Sequence, residues 1–137
     1  MERSVIVGSC LCKKVRYRLT GKLRNLCYCH CDSCRRAAGA PFVAWGTIAS
    51  QGFEVTHGEL ATINSSKDVE RGFCGNCGAT ITYAHKLRRG EIDVTLVSLD
   101  DPSEIEPAAH IWVQDKLAWV QIADELPQYQ TVPGVDA

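Results

Sequence analysis

The sequence predicts a small, mainly β fold in one domain, and three observations predict it. At 137 residues the chain matches the usual length of one domain and leaves little room for a second. Short alternating or β-prone runs recur along it, separated by Gly, Asn and Asp. Eight cysteines fall in tight groups, a device that can staple a modest core when aromatic residues are only 7% of the chain. With 45% hydrophobic and 23% charged residues the composition is ordinary for a globular protein and excludes wholesale disorder.

The elements follow in order. Residues 15–19 (Val-Arg-Tyr-Arg-Leu) alternate and stop at Thr20-Gly21, as a half-buried strand does. Cys27, Cys29 and Cys31 alternate as on one face of a strand. Asp32 or Ser33 then caps a short helical turn over 34–38, closed by Gly39 and Pro41. Residues 42–48 are apolar and β-prone around Trp45, and 53–56 precede the His57-Gly58 turn. Residues 71–73 lead into Cys74-Gly75-Asn76-Cys77-Gly78 and 79–83 lead out, which reads as a hairpin. Residues 92–97 alternate, 100–105 hold a brief helical turn at Asp101-Pro102, and 111–113 and 118–122 read as closing strands. Trp45, Trp112 and Trp119 are expected as core anchors. The domain is placed over 1–126, with a loose, turn-rich C-terminal tail over 127–137.

Charge and hydropathy exclude several function classes. Lys+Arg 15 against Asp+Glu 16 gives a net charge of -1, without the basic surplus of a nucleic-acid binder. The longest uncharged stretch, 37–53, is interrupted by Gly, Pro and Ser and is too polar to span a membrane. Val5-Ile6-Val7 is far short of a signal-peptide core, so a cytoplasmic location is expected.

In a reducing compartment, clustered cysteines point to metal or catalysis rather than to disulfides. They stand as Cys10-x-Cys12, Cys27-x-Cys29-x-Cys31-x-x-Cys34 and Cys74-x-x-Cys77. The last is a zinc knuckle: two thiolates on a tight turn, with glycines that let backbone N–H groups approach the sulfurs. Structural zinc wants four ligands, and Cys10 with Cys12, two apart on one strand face, supplies the missing pair. Cys10, Cys12, Cys74 and Cys77 therefore form a closed site that staples the N-terminal region to the distant hairpin. Cys29, Cys31 and Cys34 form a second metal site with a fourth position open, the pattern of a catalytic zinc. Cys34, near a helix start, is placed where thiolate is favoured. His30 alternates with two of these ligands and so faces away from them in a structural role. His110 is read either as lining a pocket or as an ordinary polar strand residue.

These motifs carry a resemblance. Residues 8–17 (Gly-Ser-Cys-Leu-Cys-Lys-Lys-Val-Arg-Tyr) are similar to the opening of the glutathione-dependent formaldehyde-activating enzyme family, which also contains the centromere protein V type. Residues 28–42 (Tyr-Cys-His-Cys-Asp-Ser-Cys-Arg-Arg-Ala-Ala-Gly-Ala-Pro-Phe) resemble its central signature, and 71–78 (Arg-Gly-Phe-Cys-Gly-Asn-Cys-Gly) its knuckle. Leu99-Asp100-Asp101-Pro102, His110-Ile111-Trp112 and residues 124–129 resemble its closing segments in order. The resemblance implies a β-tent fold stapled by zinc, with two zinc ions per chain. One is structural, at Cys10, Cys12, Cys74 and Cys77; the other is catalytic, at Cys29, Cys31 and Cys34. It also implies a carbon–sulfur lyase chemistry that joins glutathione and formaldehyde as S-hydroxymethylglutathione. Two departures stand out. The family often has Gly where Lys13 stands, and its signature does not require Cys27. That thiol shares a strand face with two ligands and is read as a core thiol, against a fourth ligand or a disulfide partner.

The expected chemistry follows from three thiolates and an open position: an incoming thiol is held deprotonated and adds to a small aldehyde. Arg35 and Arg36 are candidates to bind the carboxylates of glutathione or a similar small thiol. The competing readings are a non-catalytic glutathione carrier, a zinc-scaffold module that binds protein, and a thiol redox enzyme like the tent-fold methionine-sulfoxide reductases. The last would need a reactive cysteine outside the metal sites, for which Cys27 is the candidate. No membrane or nucleic-acid partner is expected, and the sequence is silent on oligomeric state.

Overall fold

In the computed structural model, which describes residues 5–133, the strands follow as β1 (Ile6–Ser9), β2 (Arg16–Leu19), β3 (Arg24–Cys29), β4 (Val43–Ala49), β5 (Phe53–His57), β6 (Leu60–Ser66), β7 (Val69–Cys74), β8 (Thr80–His85), β9 (Glu91–Thr95) and β10 (His110–Ile111). Helix α1 (Asp32–Ala38) lies between β3 and β4. The strands make two sheets. A three-stranded antiparallel sheet runs β1-β2-β5, and a seven-stranded sheet runs β10-β3-β4-β9-β8-β7-β6. The mainly β expectation holds. None of the described helices is long and apolar enough to cross a membrane.

The main core lies between the sheets and follows from period-2 patterning. On β2, Tyr17 and Leu19 are buried while Arg16 and Arg18 face water. They pack with Ile48 of β4, Ile81 of β8, Val94 of β9, and Leu96 and Leu99 beyond it. Each such side chain contributes on the order of 1.5–3 kcal/mol of transfer free energy. Cys10 and Cys74 belong to the same cluster and Cys77 packs against it, so three of the four grouped cysteines adjoin this core.

The other face of the large sheet is where chemistry collects. Strand register pairs Cys29 with Val43 and Cys27 with Trp45, and residues directly opposite each other share a face. Thr47 pairs with Asp93, Asp93 with Tyr83, and Tyr83 with Arg71. That register strings Thr47, Asp93, Tyr83 and Arg71 across four strands in one row.

Several expectations are corrected. Cys10 and Cys12 lie on the turn between β1 and β2 rather than on a strand, held by Cys10 N–H to Val15 O at 3.0 Å and Lys13 N–H to Cys10 O at 3.3 Å. Lys13 has φ 69 there, the left-handed region where a residue without Cβ sits without strain, which accounts for the family's frequent glycine. Strand β3 ends at Cys29, and Cys31 is itself the N-cap of α1 in place of Asp32 or Ser33. Residues 118–122 form no strand, Trp119 is 72% exposed, and Trp112 and Val113 leave β10 for a left-handed residue and a 3-10 turn. Strands β1 and β6 are additions to the predicted set. The segment that follows Pro127 is docked, not loose: His110 N–H donates to Pro127 O, Tyr129 N–H to His110 O and Trp112 N–H to Thr131 O. The tail's last four residues, 134–137, lie outside the described residues.

Candidate metal centres and the cavity between the strands

The first centre joins two turns from different sheets. Cys10 and Cys12 come from the β1–β2 turn, and Cys74 and Cys77 from the β7–β8 turn. All four sulfurs lie within 4.8 Å of one another. Four thiolates about 2.3 Å from a central zinc would stand about 3.8 Å apart on a tetrahedron. Cys10 Sγ and Cys12 Sγ are 3.7 Å apart, and Cys12 Sγ and Cys74 Sγ 3.8 Å, so the donor set fits such an ion. Backbone N–H groups are aimed at the sulfurs as well. Val15 donates to Cys10 Sγ at 3.3 Å, and Asn76 and Cys77 to Cys74 Sγ at 3.4 Å. Hydrogen bonds from the backbone at Ala79 and Cys12 hold Cys77 down at about 6, and the Asn76 side chain lowers Cys12. Both effects favour the thiolates that a metal requires.

The second centre is built by the end of β3 and the start of α1. Cys29, Cys31 and Cys34 bring their sulfurs within 4.8 Å of one another, and among the described residues no fourth cysteine, histidine or carboxylate joins the group. The local fold follows from the cap: Cys31 adopts extended backbone and its Sγ accepts from Cys34 N–H at 3.3 Å. Gly39, at φ 62, closes the helix by donating to Arg35 O. Hydrogen bonds from Cys29, Cys34 and Ser33 push Cys31 strongly down, while the same contacts and burial push Cys29 up. The two clusters could each hold a metal ion, and both suit zinc.

A cavity of about 760 Å3 opens beside this centre, within the usual size of a small-molecule site. Cys29, Cys31 and Cys34 line one part of it, and Trp45, Tyr83, Ile111 and Trp112 give it apolar walls. Its polar lining includes Arg88, Asp93 and Thr47. Arg88 donates to both Asp93 oxygens at 2.8 Å, and Thr47 Oγ1 donates to Asp93 Oδ1 at 2.7 Å. Cys27 also lines the cavity, yet it stands outside the three-sulfur group. It is buried with Cys29, Cys34, Val43 and Trp45, and burial pushes its thiol up to about 12. Like the other seven cysteines, it forms no disulfide.

Arg35 and Arg36 are not among the cavity-lining residues. Both are turned onto Asp32 of the same helix, which does line it. His30 points the other way, into the protein. It is 1% exposed, and its Nε2 lies 2.9 Å from His110 Nδ1, whose Nε2 lies 3.0 Å from Asp124. His110 stacks on Tyr28, and His30 packs on Phe42. This chain of side chains ties the metal loop to the C-terminal segment, so His110 has a specific partner on each ring nitrogen.

Sequence reading missed Arg71, Thr47, Arg88 and Asp93. Their placement depends on strand register between distant segments, and the available signal was the lone cation between Val69 and Phe73 in a strand entering the knuckle.

Comparison with known proteins agrees with this geometry. The family described as "Glutathione-dependent formaldehyde-activating enzyme" matches residues 5–115. An uncharacterized lyase of Schizosaccharomyces pombe is 35% identical over 79 residues, covering 57% of this chain and 56% of that protein. The match thus spans little more than half of that relative. A crystal structure of a Rhodobacter sphaeroides protein superposes with a TM-score of 0.57 at 19% identity, covering 89% of this chain and 98% of that one, which shows a shared fold.

Proposed function

This chain belongs to the glutathione-dependent formaldehyde-activating enzyme family, and on that premise we propose that it is a carbon–sulfur lyase. It joins a small thiol, glutathione or a close relative, to formaldehyde or another small aldehyde in the cytoplasm. The supporting observation is the arrangement at the second centre: three clustered sulfurs on a cavity large enough for a peptide-sized thiol. The S. pombe relative's name, a lyase, is consistent with this class.

A zinc ion held by Cys29, Cys31 and Cys34 would supply a position at which a thiol is carried as thiolate near neutral pH. The chain's own residues do the rest. Cys31, capped onto α1, and Cys29, at the end of β3, fix the centre to two rigid elements. Trp45, Tyr83 and Trp112 shield one side of the reacting atoms from water. Arg88, Asp93 and Thr47 offer hydrogen bonds to the peptide part of the thiol. Arg35 and Arg36 would meet its carboxylates after release from Asp32. In the addition, the C–S bond forms, the carbonyl π pair moves to oxygen, and the proton lost by the thiol ends on the new hydroxyl. Proximity supplies most of the acceleration. The four-cysteine centre is assigned to structure, giving two zinc ions per chain.

The direct test is the rate of glutathione–formaldehyde adduct formation at equal thiol, with and without the protein. A rate that rises in proportion to protein is expected. An unchanged rate with stoichiometric binding of glutathione would make the chain a carrier instead.

Cys27→Ala is expected to keep both metal ions, since this thiol stands outside the three-sulfur group. The stability cost is about 1 kcal/mol, for the loss of one small buried group. In the cobalt-substituted native protein, the thiolate-to-metal absorption band is expected to respond to added glutathione. A band that responds only after Cys27 is removed would show that Cys27 closes the site.

A further inference from the structure

Arg71 is the feature that the proposed chemistry has not used. It is 7% exposed, against 36% for the Arg88 side chain on the cavity. Arg18, Arg24, Arg35, Arg36 and Arg88 each meet a carboxylate. Arg71 meets none among the described residues. Its Nε donates to Ser65 Oγ at 3.2 Å, its guanidinium lies 5.0 Å from the centre of the Tyr83 ring, and its Nη1 is buried with no partner. The group in reach that would be anionic as a metal ligand is Cys34 Sγ, 3.9 Å from Nη2.

A guanidinium does not lose its proton when buried, so its charge must be answered by another. The three-cysteine centre supplies that answer. Three thiolates around a divalent ion carry one net negative charge, and a fourth thiolate makes it two. In a site of low dielectric, a fixed cation a few ångströms away favours the more negative state. The β7 register places Arg71 opposite Tyr83, which lines the cavity, while Arg71 with its guanidinium over that ring is not among the lining residues. Arg71 therefore acts on the centre through Cys34 without touching what enters the cavity.

We propose that Arg71 is the fixed counter-charge of the Cys29–Cys31–Cys34 centre, a positioning residue that makes it take an anionic soft ligand, a thiolate, in preference to a neutral one. This rests on the open-centre reading above and deepens it. The same side chain leaves a strand that ends in Cys74, so the structural centre fixes where the counter-charge stands.

The test compares an anionic and a neutral ligand on the cobalt-loaded protein, read by the visible band. The probes are 2-mercaptoethanol, bound as thiolate, and imidazole. Arg71→Met is expected to weaken thiol binding about tenfold or more, the scale of one charge-assisted hydrogen bond, while leaving imidazole binding within about twofold. Arg71→Lys should keep most of the thiol preference. Equal losses for both probes would mark Arg71 as merely structural and overturn the inference. A native centre that binds both probes, with Arg71→Met unchanged, would overturn it and leave the proposed function standing. A native centre that binds neither overturns both. If Arg71→Met does not fold, Arg71→Gln replaces it. The native protein supplies a further reading: azide should compete with imidazole, and a centre that takes imidazole but no anion overturns the inference.

Discussion

Cys77→Ser is expected to unfold the domain or leave it stable only well below ambient temperature. The four-sulfur centre does more than close a turn. It holds the β1–β2 turn of the small sheet against the β7–β8 turn of the large one, and Cys10 and Cys74 are part of the core between them. Structural zinc contributes about 10–16 kcal/mol in small peptides, comparable with or above the roughly 5–15 kcal/mol that stabilises a whole domain. A serine hydroxyl at position 77 stays protonated near neutral pH, where the cysteine is held at about 6 by backbone hydrogen bonds. It therefore offers a poor ligand and leaves three thiolates around an incomplete site. Chelation of the native protein should produce the same loss of structure, followed as far-ultraviolet circular dichroism and as the thermal midpoint. A Cys77→Ser protein with native spectra and an unchanged midpoint would remove the structural role from this centre. Failure of the native fold to respond to a strong chelator would do the same.

What the sequence revealed and what it hid divide along a physical line. The knuckle Cys74-x-x-Cys77 was legible because its two ligands and the turn that aims them are all local. Cys10 and Cys12 were legible by ligand count, since two thiolates need two more, although their turn was misread as a strand. Strand β6 carried no signal because its residues are nearly all exposed. It exists as an edge strand through its ladder with β7, without a buried face to impose alternation. Residues 118–122 carried a false signal. They alternate like a strand but pair with no strand among the described residues, and Lys116 Nζ donates instead to the carbonyls of Leu117 and Val120. Trp119 is left in solvent as a result. The row Thr47, Asp93, Tyr83 and Arg71 was invisible for a related reason. It is assembled by register between four strands, and register is a property of the fold that no single strand carries.

Register also explains why the two centres have different dependence on the fold. The four-cysteine centre bridges two sheets, so removing it separates them. The three-cysteine centre comes from one short stretch, the end of β3 and the first turn of α1, on a face whose strands pair without it. Loss of its metal, with Cys34 kept in place beside Arg71, should therefore cost function and little structure.

Cys31→Ser tests that division with the least disturbance. Cys31 does two jobs: its Sγ is one of the three clustered sulfurs, and it caps α1 by accepting from Cys34 N–H. Serine is among the preferred N-cap residues, so the substitution keeps the cap while removing the thiolate. The helix, its αL closure at Gly39 and the ion pairs of Asp32 with Arg35 and Arg36 should all persist. Cys34→Ser lacks this advantage, because Cys34 is buried beside Arg71 and a hydroxyl there leaves the guanidinium without its anion. For Cys31→Ser the expected metal content falls from about two ions per chain to about one, since two thiolates and a serine make a weak zinc site. The thermal midpoint should move by no more than a few degrees, the equivalent of about 1 kcal/mol for a domain of this size. Adduct formation should fall to the rate measured without protein, and the cobalt band assigned to the second centre should vanish together with its response to glutathione. Collapse of the fold as severe as that of Cys77→Ser would mean that both centres hold the domain together. Full adduct activity with one metal ion remaining would place the chemistry away from Cys29, Cys31 and Cys34.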